Sequence, residues 1–261
     1  MTTGMRVRCT RRSWILGAPI GEGGFGRVFE ARSEPGDEPA AVKLVPKDPG
    51  AERELLFTDL PGVRNVVPVI DDGETETDWA LVMPRAEKSL RDHIEAHGGP
   101  FDLSASAAVL TDIATALADL DGGVVHRDVK PENVLLLDGC WCLSDFGIAR
   151  YAEATTGSNT RKDKWSSPYA APERWTLERA TSACDIYSLG VLGYELMVGE
   201  RPFTGLKNQL REQHLKKRPS FPASAPAALV ELVEECLYKA PGARPTADDL
   251  LERLNAIAER E

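Results

Sequence analysis

Val124-Val-His126-Arg127-Asp128-Val-Lys130-Pro-Glu-Asn133 leads into the apolar run Val134-Leu-Leu-Leu137. The chain then turns at Asp138-Gly139 and enters Cys140-Trp-Cys-Leu-Ser-Asp145-Phe-Gly147. Two short apolar runs separated by Asp-Gly read as a strand, a tight turn and a second strand. Acidic or amide groups flank both strands. A hairpin sets its two flanking loops side by side, so Asp128, Asn133 and Asp145 converge on one point. A carboxylate that can accept a proton, beside an amide oxygen and a second carboxylate, suits chemistry on a charged, metal-bound group.

The remaining composition narrows the classes. The chain has 261 residues, 42% of them hydrophobic, enough for one two-lobed domain or two small ones. No segment is expected to reach the apolar length that spans a bilayer, and no apolar run follows the basic residues of Met1–Arg12 as in a signal peptide. Five cysteines without regular spacing argue against a disulfide framework. Cys140 and Cys142 share a strand face, but no second pair completes a metal site, so buried or half-buried thiols are expected. A formal charge of −10 disfavours nucleic acid as a partner. The expectation is a soluble, cytoplasmic protein without a membrane partner.

Upstream, residues 1–13 read as polar and irregular, outside the main fold or on its back. Gly21-Glu-Gly23-Gly-Phe-Gly26 then follows an apolar stretch ending in Ile20. A dinucleotide-binding turn would continue into a helix, yet Arg27-Val28-Phe-Glu-Ala-Arg32 reads as a strand. Ser33–Pro39 is a turn-forming loop, and Ala40-Ala41-Val42-Lys43-Leu44-Val45 is an apolar strand with one lysine inside it. Such a lysine needs a partner. Ala51–Leu60 reads as a short helix in which both Glu52 and Glu54 could face it. Trp79–Met83 is a further strand, broken by Pro84-Arg-Ala86. From Ser89 the period becomes helical. Ser89–Ala96 is one helix and Leu103–Leu120 another, with Leu110, Ile113, Leu117 and Leu120 on one face. Sheet first and helices second make a two-lobed α+β protein.

His126-Arg-Asp128-x-Lys130-x-x-Asn133 followed by Asp145-Phe-Gly147 resembles the catalytic and magnesium-binding loops of eukaryotic-type protein kinases, most like the bacterial ones. The resemblance covers about residues 14–258. It implies a small, mainly antiparallel β N-lobe with one helix (14–83), a hinge (84–88) and a larger helical C-lobe (89–258), after an extension over 1–13. It also implies ATP and magnesium. Asp128 would be the base, Lys130 would stabilise the moving phosphoryl group, and Asn133 and Asp145 would hold magnesium. Gly21, Gly23 and Gly26 would approach the phosphates. Ile20 and Val28 would flank the adenine, with Ala41 beside them and Leu135 as its floor. Lys43 would hold the α- and β-phosphates, paired with Glu54, which is chosen over Glu52 for its spacing to Val66–Ile70. Met83 would back the pocket, with Pro84 and Ala86 in the hinge. Lys130 at its position resembles members that act on serine and threonine.

The resemblance extends to regulation and scaffold. Tyr151–Ser167 carries Thr155, Thr156, Ser158 and Thr160 and resembles an activation loop, with Arg127 as the arginine that pairs with a loop phosphate. Trp165-Ser166 stands where the family has Gly-Thr. Asp185 would hold the backbone of the catalytic loop, and Arg244 would pair, buried, with Glu173. Lys216-Lys217-Arg218 reads as a solvated helix face, and Thr246 caps a last helix. With no sensor domain or linker expected, control would come from self-phosphorylation, a regulatory partner or a homodimer through the N-lobe. Protein substrates are the expected partners. A kinase-like binding scaffold and a small-molecule kinase are the competing readings. The first is opposed by the presence of Lys43, Asp128, Asn133 and Asp145, the second by the Ala-Pro-Glu segment at Glu173 and by Arg244.

Overall fold

Alternating apolar residues from Trp14 to Val45, punctuated by turn formers, give the strands of an antiparallel sheet. In a computed structural model, which describes residues 3–23, 26–47, 60, 62–146, 150–151 and 167–259, six strands occur in the order β1-β2-β3-β4-β6-β5. They are β1 (Arg6–Arg8), β2 (Ser13–Gly23), β3 (Gly26–Glu34), β4 (Pro39–Pro46), β5 (Asp71–Glu74) and β6 (Asp78–Pro84). Every neighbouring pair is antiparallel. One face supplies a core of Val7, Trp14, Leu16, Phe29, Ala31, Ala40, Val42, Leu44, Ala80 and Val82. The period of two therefore sends Val28, Ala41, Lys43, Leu81 and Met83 to the other face.

Residues 6–8 correct the expectation of an irregular extension. They pair with β2, and Val7 is buried in the core. The following turn is tied down by Asp71, whose carboxylate accepts the N–H groups of Arg11 and Arg12 and the indole N–H of Trp14. Cys9 bridges Gly73 of β5, so the two edges of the sheet are joined.

The chain divides into two units, the first comprising Met1–Pro61 and Val67–Glu87, the second Gly62–Val66 with the chain from Lys88 onward apart from Asn159–Lys164. Gly62–Val66 falls with the second unit because its side chains bond there. Arg64 pairs with Asp119, and Asn65 donates to Asp112.

The second unit is helical, apart from one short hairpin and one short strand pair. It contains α1 (Leu90–His97), α2 (Leu103–Leu120), β7 (Val124–Val125), β8 (Val134–Leu137), β9 (Cys140–Leu143), β10 (Arg150–Tyr151), α3 (Pro172–Trp175), α4 (Ser182–Val198), α5 (Lys207–Lys216), α6 (Ala227–Cys236) and α7 (Ala247–Ala258). Ser89 caps α1 in a reciprocal pairing with Asp92, and Thr246 caps α7 in the same way with Asp249. Every residue of α4 from Cys184 to Met197 is buried, which makes it the post around which α2 and α6 pack. By length and composition α2 is apolar enough to cross a membrane, contrary to the sequence expectation. Half of it is buried within its own unit, including Leu110, Ile113, Leu117 and Leu120, as in a core helix.

The β8–β9 hairpin follows the sequence. Asp138 and Gly139 both take positive φ, 49° and 82°, as a two-residue turn between right-twisted strands requires. Its second strand ends at Leu143, so Ser144–Phe146 lies beyond the ladder. Cys142 is buried but Cys140 is exposed, against the expectation for that pair.

Candidate active site

The expected phosphate and adenine groups of the first unit lie on the four adjacent strands β2, β3, β4 and β6 and just after the last of them. Gly21 pairs with Val28, Val28 with Lys43, and Lys43 with Leu81, a row across four strands. Ala41 stands opposite Met83 in the next row. Partners in register share a face, so Val28, Ala41, Lys43 and Met83 form one surface, away from the core cluster. Lys43 is 6% exposed on that surface. Gly26 closes the hairpin opposite Gly23 at φ 142°, and a Cβ there would meet the Leu44 carbonyl oxygen at 2.3 Å. Only glycine fits. Ile20 is exposed, and Met83, Pro84 and Ala86 are half-buried. Pro84 pairs with Ala40 and so ends β6 on the opposite, core side. Glu52, Glu54, Gly147 and the loop residues Thr155, Thr156, Ser158, Thr160, Trp165 and Ser166 lie outside the described residues.

In the second unit the structure brings Asp128, Lys130 and Asn133 together. Lys130 Nζ donates to Asp128 Oδ2 at 2.6 Å, and Asn133 Nδ2 donates to the same oxygen at 3.1 Å and to the Asp128 carbonyl at 3.0 Å. The short helical turn Pro131–Asn133 makes this possible by folding Asn133 back toward Asp128. Leu135 is half-buried on β8, opposite Cys142.

Two side chains without an assigned role in the motif reading hold this arrangement. His126, fully buried, accepts the Asp128 N–H at Nδ1 (3.3 Å), so its proton sits on Nε2, which donates to the Ser144 carbonyl at 3.0 Å. Ser144 in turn donates its N–H (2.8 Å) and its hydroxyl (3.0 Å) to the Asn133 carbonyl. The bonds run from Asp128 through His126 and Ser144 to Asn133 and back to Asp128. Phe146 packs edge-on against His126, with centroids 4.7 Å apart. Asp145 follows Ser144 directly at φ 63°, a left-handed value uncommon for a residue other than glycine. The sequence signal was adjacency alone: Ser144 precedes Asp145 and His126 lies two before Asp128. The pairing across the hairpin appears only once Val134 is known to face Leu143.

The loop is anchored from below by α4. Asp185 accepts the N–H groups of His126 (2.8 Å) and Arg127 (2.7 Å). Burial pushes the Asp185 carboxyl upward, opposed by His126 and by these two backbone bonds. Glu173 and Arg244 form a bidentate pair at 2.7 and 2.9 Å with side-chain exposures of 2% and 0%. The other N–H groups of Arg244 reach the carbonyls of Ala183, Tyr238 and Lys239, so all five donors are used.

The donor set fits a hard divalent cation. Both side-chain bonds of Asn133 leave through Nδ2, and its Oδ1 accepts no hydrogen bond among the described residues. Asn133 and Asp145 would supply two oxygen donors, which suits magnesium, an ion that keeps waters and takes phosphate oxygens for the rest.

A family model described as the protein kinase domain matches residues 14–254. Among curated proteins, the chain is similar to the serine/threonine-protein kinase PkaA of Streptomyces coelicolor, 33% identical over 287 aligned positions, covering 97% of this chain and 51% of that protein. PknA of Corynebacterium glutamicum is 32% identical, with 95% and 56% covered. PknH of Mycobacterium tuberculosis is 35% identical over 70% of this chain and 31% of its own length. The chain spans about half the length of the first two of these relatives.

Proposed function

This chain belongs to the protein kinase domain family, and from that premise we propose that it transfers the γ-phosphoryl group of ATP, with magnesium, to serine and threonine hydroxyls of proteins. The observation that carries the reading is the closed set of bonds joining Asp128, His126, Ser144 and Asn133, with Lys130 on the same carboxylate oxygen as Asn133.

Asp128 orients the acceptor hydroxyl and takes its proton. Asn133 fixes the rotamer of that carboxylate, and its free Oδ1, together with Asp145, would hold magnesium. Bound there, the ion would neutralise charge on the phosphate oxygens. Lys130, which donates to Asp128, moves from it toward the phosphoryl oxygens as negative charge accumulates on them. Lys43 holds the remaining phosphates from the strand face it shares with Val28, Ala41 and Met83. Proteins are favoured over metabolites as acceptors because Glu173 of the Ala-Pro-Glu segment and Arg244 are paired, and small-molecule kinases lack both.

Self-phosphorylation at Thr155, Thr156 or Thr160 belongs to the same proposal, motivated by Arg127 beside the base. The test is incubation with labelled ATP and magnesium, wild type beside Asp128→Asn, followed by phosphosite mapping. Label in the 155–160 stretch of the wild type alone supports the reading. ATP binding without label on the chain or on generic protein substrates sinks it.

A further inference from the structure

Phosphoryl transfer uses neither the basic run that ends α5 nor the turn that follows α6. These two stretches meet around a cavity of about 430 Å³, within the size range of small-molecule sites. Arg218 and Pro219 form one wall, and Leu237, Tyr238, Lys239 and Ala240 form another.

The charge in this cavity is unbalanced. Among the described residues, neither Arg218 nor Lys239 forms an ion pair with a carboxylate, and Glu234, which also lines the cavity, stands beyond pairing distance of both. Arg244, just behind, is answered by Glu173. Lys239 is half-buried. Its ammonium donates to the Tyr187 hydroxyl at 3.1 Å and lies 4.8 Å from the Phe203 ring centroid and 5.3 Å from that of Tyr187. Aromatic faces offset only part of the cost of removing an ammonium from water. Burial, then the guanidinium groups of Arg244 and Arg218, push Lys239 down to about 8. An anion entering here would meet two cations without a carboxylate partner, one of them half-buried. The remaining wall, Pro219, Leu237 and the ring of Tyr238, offers apolar contact but few donors.

We propose that this cavity binds a small organic anion, its carboxylate or phosphate held between Arg218 and Lys239 and its apolar body against Pro219, Leu237 and Tyr238. The site is separate from the groups assigned to phosphoryl transfer and does not depend on that assignment.

The test is calorimetric titration of the whole chain, free of nucleotide, with benzoate, phenyl phosphate and inorganic phosphate. Saturable binding of benzoate or phenyl phosphate with Kd around 1 mM or tighter (roughly −4 kcal/mol or better) is expected. Arg218→Ala should weaken it by about tenfold and Arg218→Glu should abolish it, as a lost charge-assisted contact implies. Arg218 is exposed, so both variants should melt like the wild type. Lys239 should also be protected from an amine-reactive label by the bound ligand. Benzoate binding without phenyl phosphate, or the reverse, assigns the acid group and supports the site. Absence of saturable binding, equal affinity in Arg218→Glu, or inorganic phosphate binding as tightly as phenyl phosphate would each overturn it.

Discussion

The N–H of Arg127 donates to Oδ1 of Asp185 at 2.7 Å, and Arg127 holds a φ of 73°. A left-handed arginine costs on the order of 1–3 kcal/mol unless its surroundings enforce it. Asp185 enforces it from the first turn of a helix buried from Cys184 to Met197, with His126 N–H on its other oxygen. The backbone just before Asp128 is thus set by a carboxylate on α4. Asp185→Ala removes both acceptors and leaves two buried N–H groups. We expect a stability loss of about 3 kcal/mol in urea unfolding, and a fall in kcat beyond what the unfolded fraction explains. Asp185→Asn keeps one acceptor and should fall between. Unchanged kcat in folded Asp185→Ala would show that the anchor does not govern the base.

Glu173 and Arg244 form the second anchor, and their burial decides how substitutions behave. Replacing one partner strands a charge. Arg244→Met should destabilise by about 3–5 kcal/mol. Glu173→Leu should do likewise by stranding the guanidinium. Replacing both with apolar residues of similar volume should recover much of the loss, although Arg244 also satisfies three carbonyls that methionine cannot. A double-mutant cycle in chemical denaturation measures the coupling. Additive losses would mean that the carbonyl bonds, not the ion pair, carry the stability.

Legibility of the sequence followed the range of the interactions. The β8–β9 hairpin, α2 and the lysine strand were readable because a turn dipeptide, a helical stripe and an apolar run are local signals. The family's fold and its Glu173–Arg244 pairing came through because motifs fix both partners. The strand at residues 6–8 was unreadable. Three residues, Arg-Val-Arg, are too few to show a period of two; they are held by pairing with β2 and by Val7 in the core, and the turn after them by Asp71 about sixty residues away. His126 and Ser144 were visible as letters but not as parts, since their bonds cross the hairpin. Cys140 and Cys142 shared a face, yet the end of the ladder exposes the first of them.

Asp71 therefore gives a prediction of its own. It accepts Arg11 N–H, Arg12 N–H and Trp14 Nε1–H, and these bonds hold the first turn against β5 together with the Cys9–Gly73 bridge and the Thr10 N–H to the Asp72 carbonyl. Asp71→Ala should loosen residues 6–14, seen as faster amide exchange there, and lower stability by roughly 2 kcal/mol. Slow exchange across residues 6–14 in the variant would show that Val7 and Trp14 packing suffices.

His214 sets an acid limit on stability. It is fully buried among Trp175, Tyr187 and Phe203, with the Tyr187 hydroxyl 3.0 Å from Nδ1 and the Lys239 ammonium nearby. Burial first, then Lys239, push it down to about 3 from an ordinary 6.5. Below 6.5 the unfolded chain takes up a proton that the folded chain refuses. Stability from this group is therefore present above 6.5 and lost as pH falls toward 3, with a slope approaching about 1.4 kcal/mol per pH unit. His214→Phe should flatten this part of the profile measured by denaturant unfolding between pH 7 and 4. An identical slope in the variant would assign the acid sensitivity to other groups.

Under the proposed function Asn133 would join the base to the metal site, and two substitutions separate the tasks. Its Nδ2 fixes Asp128 while its Oδ1 remains available. Asn133→Ala removes both, so kcat should fall by about 10²-fold or more, in the range of a lost positioned base, and the magnesium concentration for half-maximal rate should rise. Asn133→Asp keeps an oxygen for the metal but sets a second carboxylate about as close to Asp128 Oδ2 as the 3.1 Å amide it replaces. Two carboxylates at that distance resist ionising together, which raises the apparent pKa of the pair. The rate of Asn133→Asp should therefore be low at neutral pH and climb more steeply with pH than the wild type, while its magnesium requirement stays closer to normal. Parallel pH profiles for the two enzymes would mean that Asn133 serves the metal alone.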